Sequence, residues 1–367
     1  MKLINVLVIS IVLYLPKLDY AQENYVKNFN NNLKINSKYN FDKIKAFSQS
    51  TNAYNFMALG YFINANNMMY QKTSNTEYLD NNLDVIKPIL IDKGNQNYKS
   101  NIWKMNVSKG NANYASNGRE NVISEGYFFR YVGEFLDIIT SNDLYRDEQV
   151  GILDGLKYSF FKWRRISFER YGDYNSLLFH LRLHTGANWA TTALYLKKYD
   201  RNNGVAYDRF IDKFDEQLKK AMKVEVSNGK KYLIWNSTYP DKFSHLLRSM
   251  KNYPSKIQDV SHGNHVVVYF LKTQELDSKN WTDFNIDYLI NTLELKIIKD
   301  DSFADNIDGS SSQSVRNTGW KQSDGWMKLI QYRPSLKKHY SSYYNILKNK
   351  QLIDNSMLGL QFFANLE

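Results

Sequence analysis

Apolar and aromatic side chains recur at three- and four-residue steps along most of the chain. Between Val122 and Ile139 the series Ile123, Tyr127, Phe128, Tyr131, Val132, Phe135, Ile138 and Ile139 draws a stripe down a helix. The same period predicts helices at Tyr54–Gln71, Asp147–Phe168, Trp189–Tyr199, Tyr207–Val224, His262–Thr273, Asp283–Ile298 and Ser341–Leu352. Lys93-Gly94-Asn95, Asn202-Asn203-Gly204, Asn228-Gly229 and Asp308-Gly309 separate these segments, since Gly and Asn tolerate the left-handed cap that ends a helix. Strand alternation is weak; Lys231–Trp235 reads as a short hairpin arm. No internal repeat is visible, which disfavours a solenoid. The pattern predicts one all-α domain over residues 22–367. Antiparallel helices of this length can close into an α/α toroid or barrel, inner helices alternating with outer ones around a cleft.

The first residues follow a different pattern. One positive charge at Lys2 precedes a largely apolar run from Val6 to Leu15, then Pro16 and a small residue at Ala21. A charged start, a short apolar core and a small-residue exit describe a secretory signal peptide, here residues 1–21. The run is shorter than the roughly 20 apolar residues of a membrane span, and no other segment reaches that length. The expected location is the periplasm or the medium.

Composition narrows the chemistry. Of 367 residues, 43% are hydrophobic and 15% aromatic, which excludes a disordered chain. There is no cysteine, hence no thiol nucleophile, disulfide, iron–sulfur cluster or thiolate zinc site. Lys and Arg exceed Asp and Glu by 48 to 37, a formal charge of +11 that suits an anionic partner. Export makes nucleic acid a poor candidate for that partner. The elbow of serine hydrolases, the P-loop, the dinucleotide glycine fingerprint and the zinc-protease helix are all missing.

Three stretches concentrate reactive side chains. In Phe179–Trp189, His180, His184, Asn188 and Trp189 surround Gly186, read as a turn before a helix beginning near Asn188. An amide there can serve an anion beside free helix N–H groups, or simply cap the helix while Trp189 fills the core. In Gln258–Leu271, His262, His265 and Tyr269 fall within about 60° of one another on a helix. That face suits acid–base work, a satisfied polar core, or less readily a metal, for which no third ligand is obvious. The third, Phe303–Trp326, is a long polar loop with Arg316, Trp320 and Trp326. Indole and guanidinium suit a sugar bearing a carboxylate, although the tryptophans can equally pack inward. Glu125, Asp173, Asp259 and Asp308 are candidate acids for glycoside hydrolysis.

Asp259-Val260-Ser261-His262-Gly263-Asn264-His265, Ala304-Asp305-Asn306-Ile307-Asp308-Gly309-Ser310 and Gly325-Trp326-Met327-Lys328-Leu329 carry a resemblance. They look like α/α-barrel polysaccharide lyases, close to single-domain alginate and glucuronan lyases of Bacteroidetes-type bacteria. The resemblance spans roughly residues 120–335 and is one of pattern. It implies β-elimination on a uronate polysaccharide without cofactor or metal. Asn188 matches the residue that neutralises the uronate carboxylate, and His262 or His265 matches the catalytic histidine. The catalytic tyrosine has no unambiguous match; Tyr239 is the first candidate and Tyr269 the second. Trp189, His184, Arg316, Trp320 and Tyr269 are expected to bind substrate. A glycoside hydrolase or uronyl epimerase on the same fold, or a non-catalytic periplasmic glycan-binding protein, remain alternatives.

Overall fold

Side-chain caps mark where several long helices begin. Asn52 accepts a hydrogen bond from the Tyr54 N–H, Asn121 from Ser124 and Asp259 from His262, each satisfying a donor that the first helical turn leaves free. The computed structural model describes residues 16–50, 52–90, 104, 106, 109, 117–250, 255–276, 278–282, 284–300, 302–311, 318–353 and 356–367, with backbone alone for 16–24. The apolar run of the expected leader and Arg316 lie outside the described residues.

In chain order the helices are α1 (Pro16–Ile35), α2 (Phe41–Ser48), α3 (Ala53–Thr73), α4 (Glu77–Leu90), α5 (Val122–Ser141) and α6 (Arg146–Tyr171). They continue with α7 (Ser176–Phe179), α8 (Leu183–Tyr199) and α9 (Gly204–Ala221), then the strands β1 (Met222–Ser227) and β2 (Lys230–Trp235). After these come α10 (His245–Ser249), α11 (Val260–Glu275), α12 (Asp287–Thr292), the short pair β3 (Ile298–Lys299) and β4 (Ser302–Phe303), α13 (Lys337–Asn349) and α14 (Leu358–Leu366). The protein is mainly helical, as the sequence period requires. No helix among the described residues is long and apolar enough to cross a membrane.

Four helices, α3, α5, α8 and α11, pack side by side in that order and are buried over most of their length. Their hydrophobic residues join one continuous core cluster that runs from Phe29 to Leu366. Truncating a side chain such as Phe135, fully buried in α5, would cost about 3–5 kcal/mol. The α3–α5 contact is close because Gly60 has no side chain: a Cβ there would lie 2.6 Å from the Tyr127 carbonyl oxygen. Helices α6 and α9 keep exposed faces; α9 buries Tyr207, Phe210, Ile211, Phe214 and Leu218 and turns Asp212, Glu216, Lys219 and Lys220 outward.

Three boundaries differ from the sequence reading. The segment Tyr207–Val224 leaves the helix at Ala221 and becomes β1, paired antiparallel with β2 from Met222–Trp235 to Ser227–Lys230. Asn228-Gly229 is therefore a hairpin turn, both residues at positive φ (49° and 74°), and not a helix end. Helix α8 begins at Leu183, which places Gly186 and Asn188 inside it. Asp283–Ile298, read as one helix, holds α12 followed by a wider π-helical turn over Leu293–Ile297.

Candidate functional site

The start of α11 meets the first turns of α8, and three histidines come together there. Asp259, capping α11, accepts from the His262 N–H and also holds His262 Nδ1, 2.9 Å from each carboxylate oxygen. A carboxylate only accepts, so Nδ1 carries a hydrogen, and in the neutral ring Nε2 holds the lone pair. The His262 side chain is 48% exposed, at the rim. The His184 ring stacks on it, with centroids 4.4 Å apart and planes 28° apart, and His265 lies 5.8 Å from His184 and 6.4 Å from His262.

Burial sets the charges of this group. It pushes His184 well below the ordinary imidazole value, reinforced by the neighbouring histidines and Arg182. His265 drops to about 4, through burial first and then the charge of Arg130, with Asp324 opposing. Both rings are neutral at pH 7. Burial raises the Asp259 carboxyl, but the hydrogen bonds and charge of His262 outweigh it and leave the group below its usual range.

Asn188 lies one turn beyond His184 on α8, so the two share a helix face. Its side chain is completely buried, and neither its amide oxygen nor its amide nitrogen has a hydrogen-bond partner. The α5 backbone passes close by: a Cβ on Gly126 would sit 3.3 Å from the Asn188 Cβ. The next residue, Tyr127, turns its ring edge onto His265 at 4.3 Å, with Tyr61 edge-on behind it at 6.0 Å. Burial raises the Tyr127 phenol, with the Arg130 charge opposing and Asp324 and Asp259 adding to the rise, so it stays protonated. One amide, three imidazoles and a protonated phenol thus converge from α5, α8 and α11.

A buried ionic hub supports them. Asp324 accepts from Arg130 Nη2 at 2.5 Å, Tyr131 Oη at 2.5 Å and Gln361 Nε2 at 2.9 Å. Its Oδ2 lies 3.2 Å from His265 Nδ1, within ion-pair range although the ring N–H is not aligned for a hydrogen bond. Burial alone would raise the Asp324 carboxyl; Arg130 and His265 hold it well below its ordinary value instead. Arg130 Nε and Nη1 are buried without partners. Unpaired buried polar atoms are rare in folded proteins, and this region holds several: Asn188, His184 Nδ1, His265 Nδ1 and Arg130.

Several expected residues stand elsewhere. Tyr239 Oη donates to the Phe179 carbonyl at 3.0 Å, and its ring packs on Phe179 and Phe243; it holds α7 and is not offered to the histidines. Gly186 lies within α8 and is a glycine because Tyr239 needs the space, a Cβ there falling 2.1 Å from the hydroxyl. Tyr269, expected beside the histidines, gives its hydroxyl to Asp215 Oδ1 on α9. Trp189 is fully buried, its indole N–H on the Val122 carbonyl at 3.1 Å, so it is core and not a sugar platform. Trp326 is likewise buried and stacks on Trp235, whereas Trp320 is half-buried.

The four candidate acids are committed. Glu125 accepts from Ser159, Lys162 and Trp163; Asp173 binds the N–H groups of Asn175, Ser176 and His245; Asp308 accepts from Ser310; Asp259 holds His262. Among the described residues no group of three or more His, Asp or Glu is arranged to hold a metal ion. Tyr127, Arg130 and Asp324 were missed from sequence. A signal existed for two of them: Tyr127, Arg130 and Glu134 put polar groups along the stripe of α5 that its period assigns to the core.

No family model, curated protein or solved structure matches this chain. The functional reading therefore rests on the chemistry of the site.

Proposed function

We propose that the chain is a lyase that cleaves a uronate-containing polysaccharide, of alginate or glucuronan type, by β-elimination, on a toroid of inner and outer helices. The observation that carries this reading is the buried, unpartnered amide of Asn188, one helical turn from His184 and against Gly126 of α5. A buried amide without partners costs about 1–3 kcal/mol per unsatisfied group, and a ligand oxygen would remove that cost for the amide nitrogen.

The steps follow from the groups present. The Asn188 amide donates to the uronate carboxylate and disperses the charge that grows there as the C5–H bond breaks. His262 Nε2, freed by the Asp259 grip on Nδ1, takes that proton. The C–H electron pair becomes the C4–C5 double bond as the C4–O4 bond breaks. O4 takes a proton from Tyr127, which its raised pKa keeps protonated until that step. The His262 proton then returns to the phenolate through solvent. Neutral His184 and His265 add no competing positive charge beside the base.

The test is a panel of polyuronates with the chain and its Asn188→Ala variant. Appearance of the conjugated unsaturated uronate, lost in the variant, is the expected result. New reducing ends without that chromophore would replace the lyase by a hydrolase, and exchange at C5 without cleavage by an epimerase.

A further inference from the structure

The outer face of α6 carries a row of partly exposed aromatic side chains, of which Phe161 also packs against the core. Tyr158 is 37% exposed, Phe168 48% and Tyr174 51%, which makes three of the four exposed aromatic residues among those described. Tyr158, Phe161, Arg165 and Phe168 follow a three- and four-residue spacing, so they line one side of the helix. A shallow groove of about 590 Å³ runs along it, with Tyr158 and Phe161 beside Asp154, Lys157, Arg165 and Lys162, the last buried and paired with Glu120 and Glu125. Beyond its end the Phe168 and Tyr174 rings stack at 4.6 Å and 15°, and the Arg164 guanidinium lies 5.4 Å from the Tyr174 ring.

We propose that this face of α6 is a second, non-catalytic binding surface for a strand of acidic polysaccharide. Flat aromatic rings offer stacking faces to pyranose rings, and the flanking basic side chains pair with carboxylates set at intervals along the strand. Tyr158 to Phe168 spans about 15 Å of helix, room for about three sugar rings. Asp154 pairs with Lys157, and Glu169 lies 3.7 Å from Arg165, so the face mixes charges. The sugar hydroxyls of the strand donate to those carboxylates, and its own carboxylates meet the basic side chains between them. The chain's excess of basic residues points the same way. The identity of the polymer rests on the lyase reading; the aromatic and basic make-up of the surface does not.

The experiment is affinity electrophoresis of the full chain through gels containing alginate, glucuronan or neutral dextran, with an oligothymidylate as competitor. Retardation by a polyuronate is expected, with none by dextran and no displacement by the oligothymidylate. Tyr158→Ala/Phe168→Ala and, separately, Arg165→Glu should each weaken the apparent Kd at least fivefold while thermal melting and cleavage of a short oligouronate stay at the parent level. Unchanged retardation in both variants, absence of retardation by either polyuronate, or equal retardation by dextran overturns the proposal. Displacement by the oligothymidylate overturns it in favour of nucleic acid. Retardation that is lost in the variants, from a chain that cleaves nothing, upholds the surface and removes the lyase.

Discussion

The imidazole of His184 lies flat on that of His262, 4.4 Å between centroids, while Asp259 grips His262 from its other edge. A ring held neutral by burial therefore faces one that a carboxylate orients for proton transfer. Asn caps a helix about as well as Asp, so Asp259→Asn should preserve α11 while removing the acceptor that fixes the His262 tautomer. The expected loss is about 10²-fold or more in kcat with Tm nearly unchanged. A variant of full activity would remove Asp259 from the account.

Asn188 separates function from stability. Its amide is buried without partners, so Asn188→Leu, similar in volume, should leave the chain as stable or raise stability by about 1 kcal/mol. Activity should fall about 10²–10³-fold. Urea unfolding beside a rate assay checks both; a large loss of stability would mean the amide has structural work in the core.

Asp324 should behave oppositely. Asp324→Asn leaves Arg130 buried beside a neutral amide, and breaking a buried pair costs about 3–5 kcal/mol. The measurement is the urea midpoint, with Arg130→Met/Asp324→Leu as the second variant. Removing both charges should recover much of the loss.

Stability should fall in mild acid. His265 and His180 are held at about 4 in the folded chain, against about 6.5 when unfolded. Between those values the unfolded state binds the protons, so stability is complete above about pH 6.5 and declines toward about pH 4. Glu134 is pulled down to about 2: burial raises it, and Lys272 and Lys328 outweigh that. Its contribution is lost as pH falls further. His265→Gln should flatten the first part of the decline; an unchanged slope would contradict the neutral assignment.

The helices were legible because burial imposes its period locally. The stripe at Val122–Ile139 became α5 almost residue for residue, and His262–Thr273 lies inside α11. Asn228-Gly229 misled because the same left-handed pair ends a helix or turns a hairpin. Gly186 misled because a glycine demanded by the Tyr239 hydroxyl looks, in sequence, like a glycine demanded by a turn. The histidines of α11 were visible by their spacing. Tyr127 was hidden among 28 tyrosines, and only the packing of α5 between α3 and α8 sets its ring on His265, 138 positions away. Asp324 was hidden for the same reason, its partners being scattered over α5, α11 and α14.

The most direct measurement is the ultraviolet absorbance of purified chain incubated with alginate and with glucuronan. Rising absorbance from a C4–C5 double bond, abolished in Asn188→Ala and strongly reduced in His262→Gln and Tyr127→Phe, is the predicted result. A parent chain that leaves both polymers without that chromophore, or an Asn188→Ala variant as active as the parent, would contradict it.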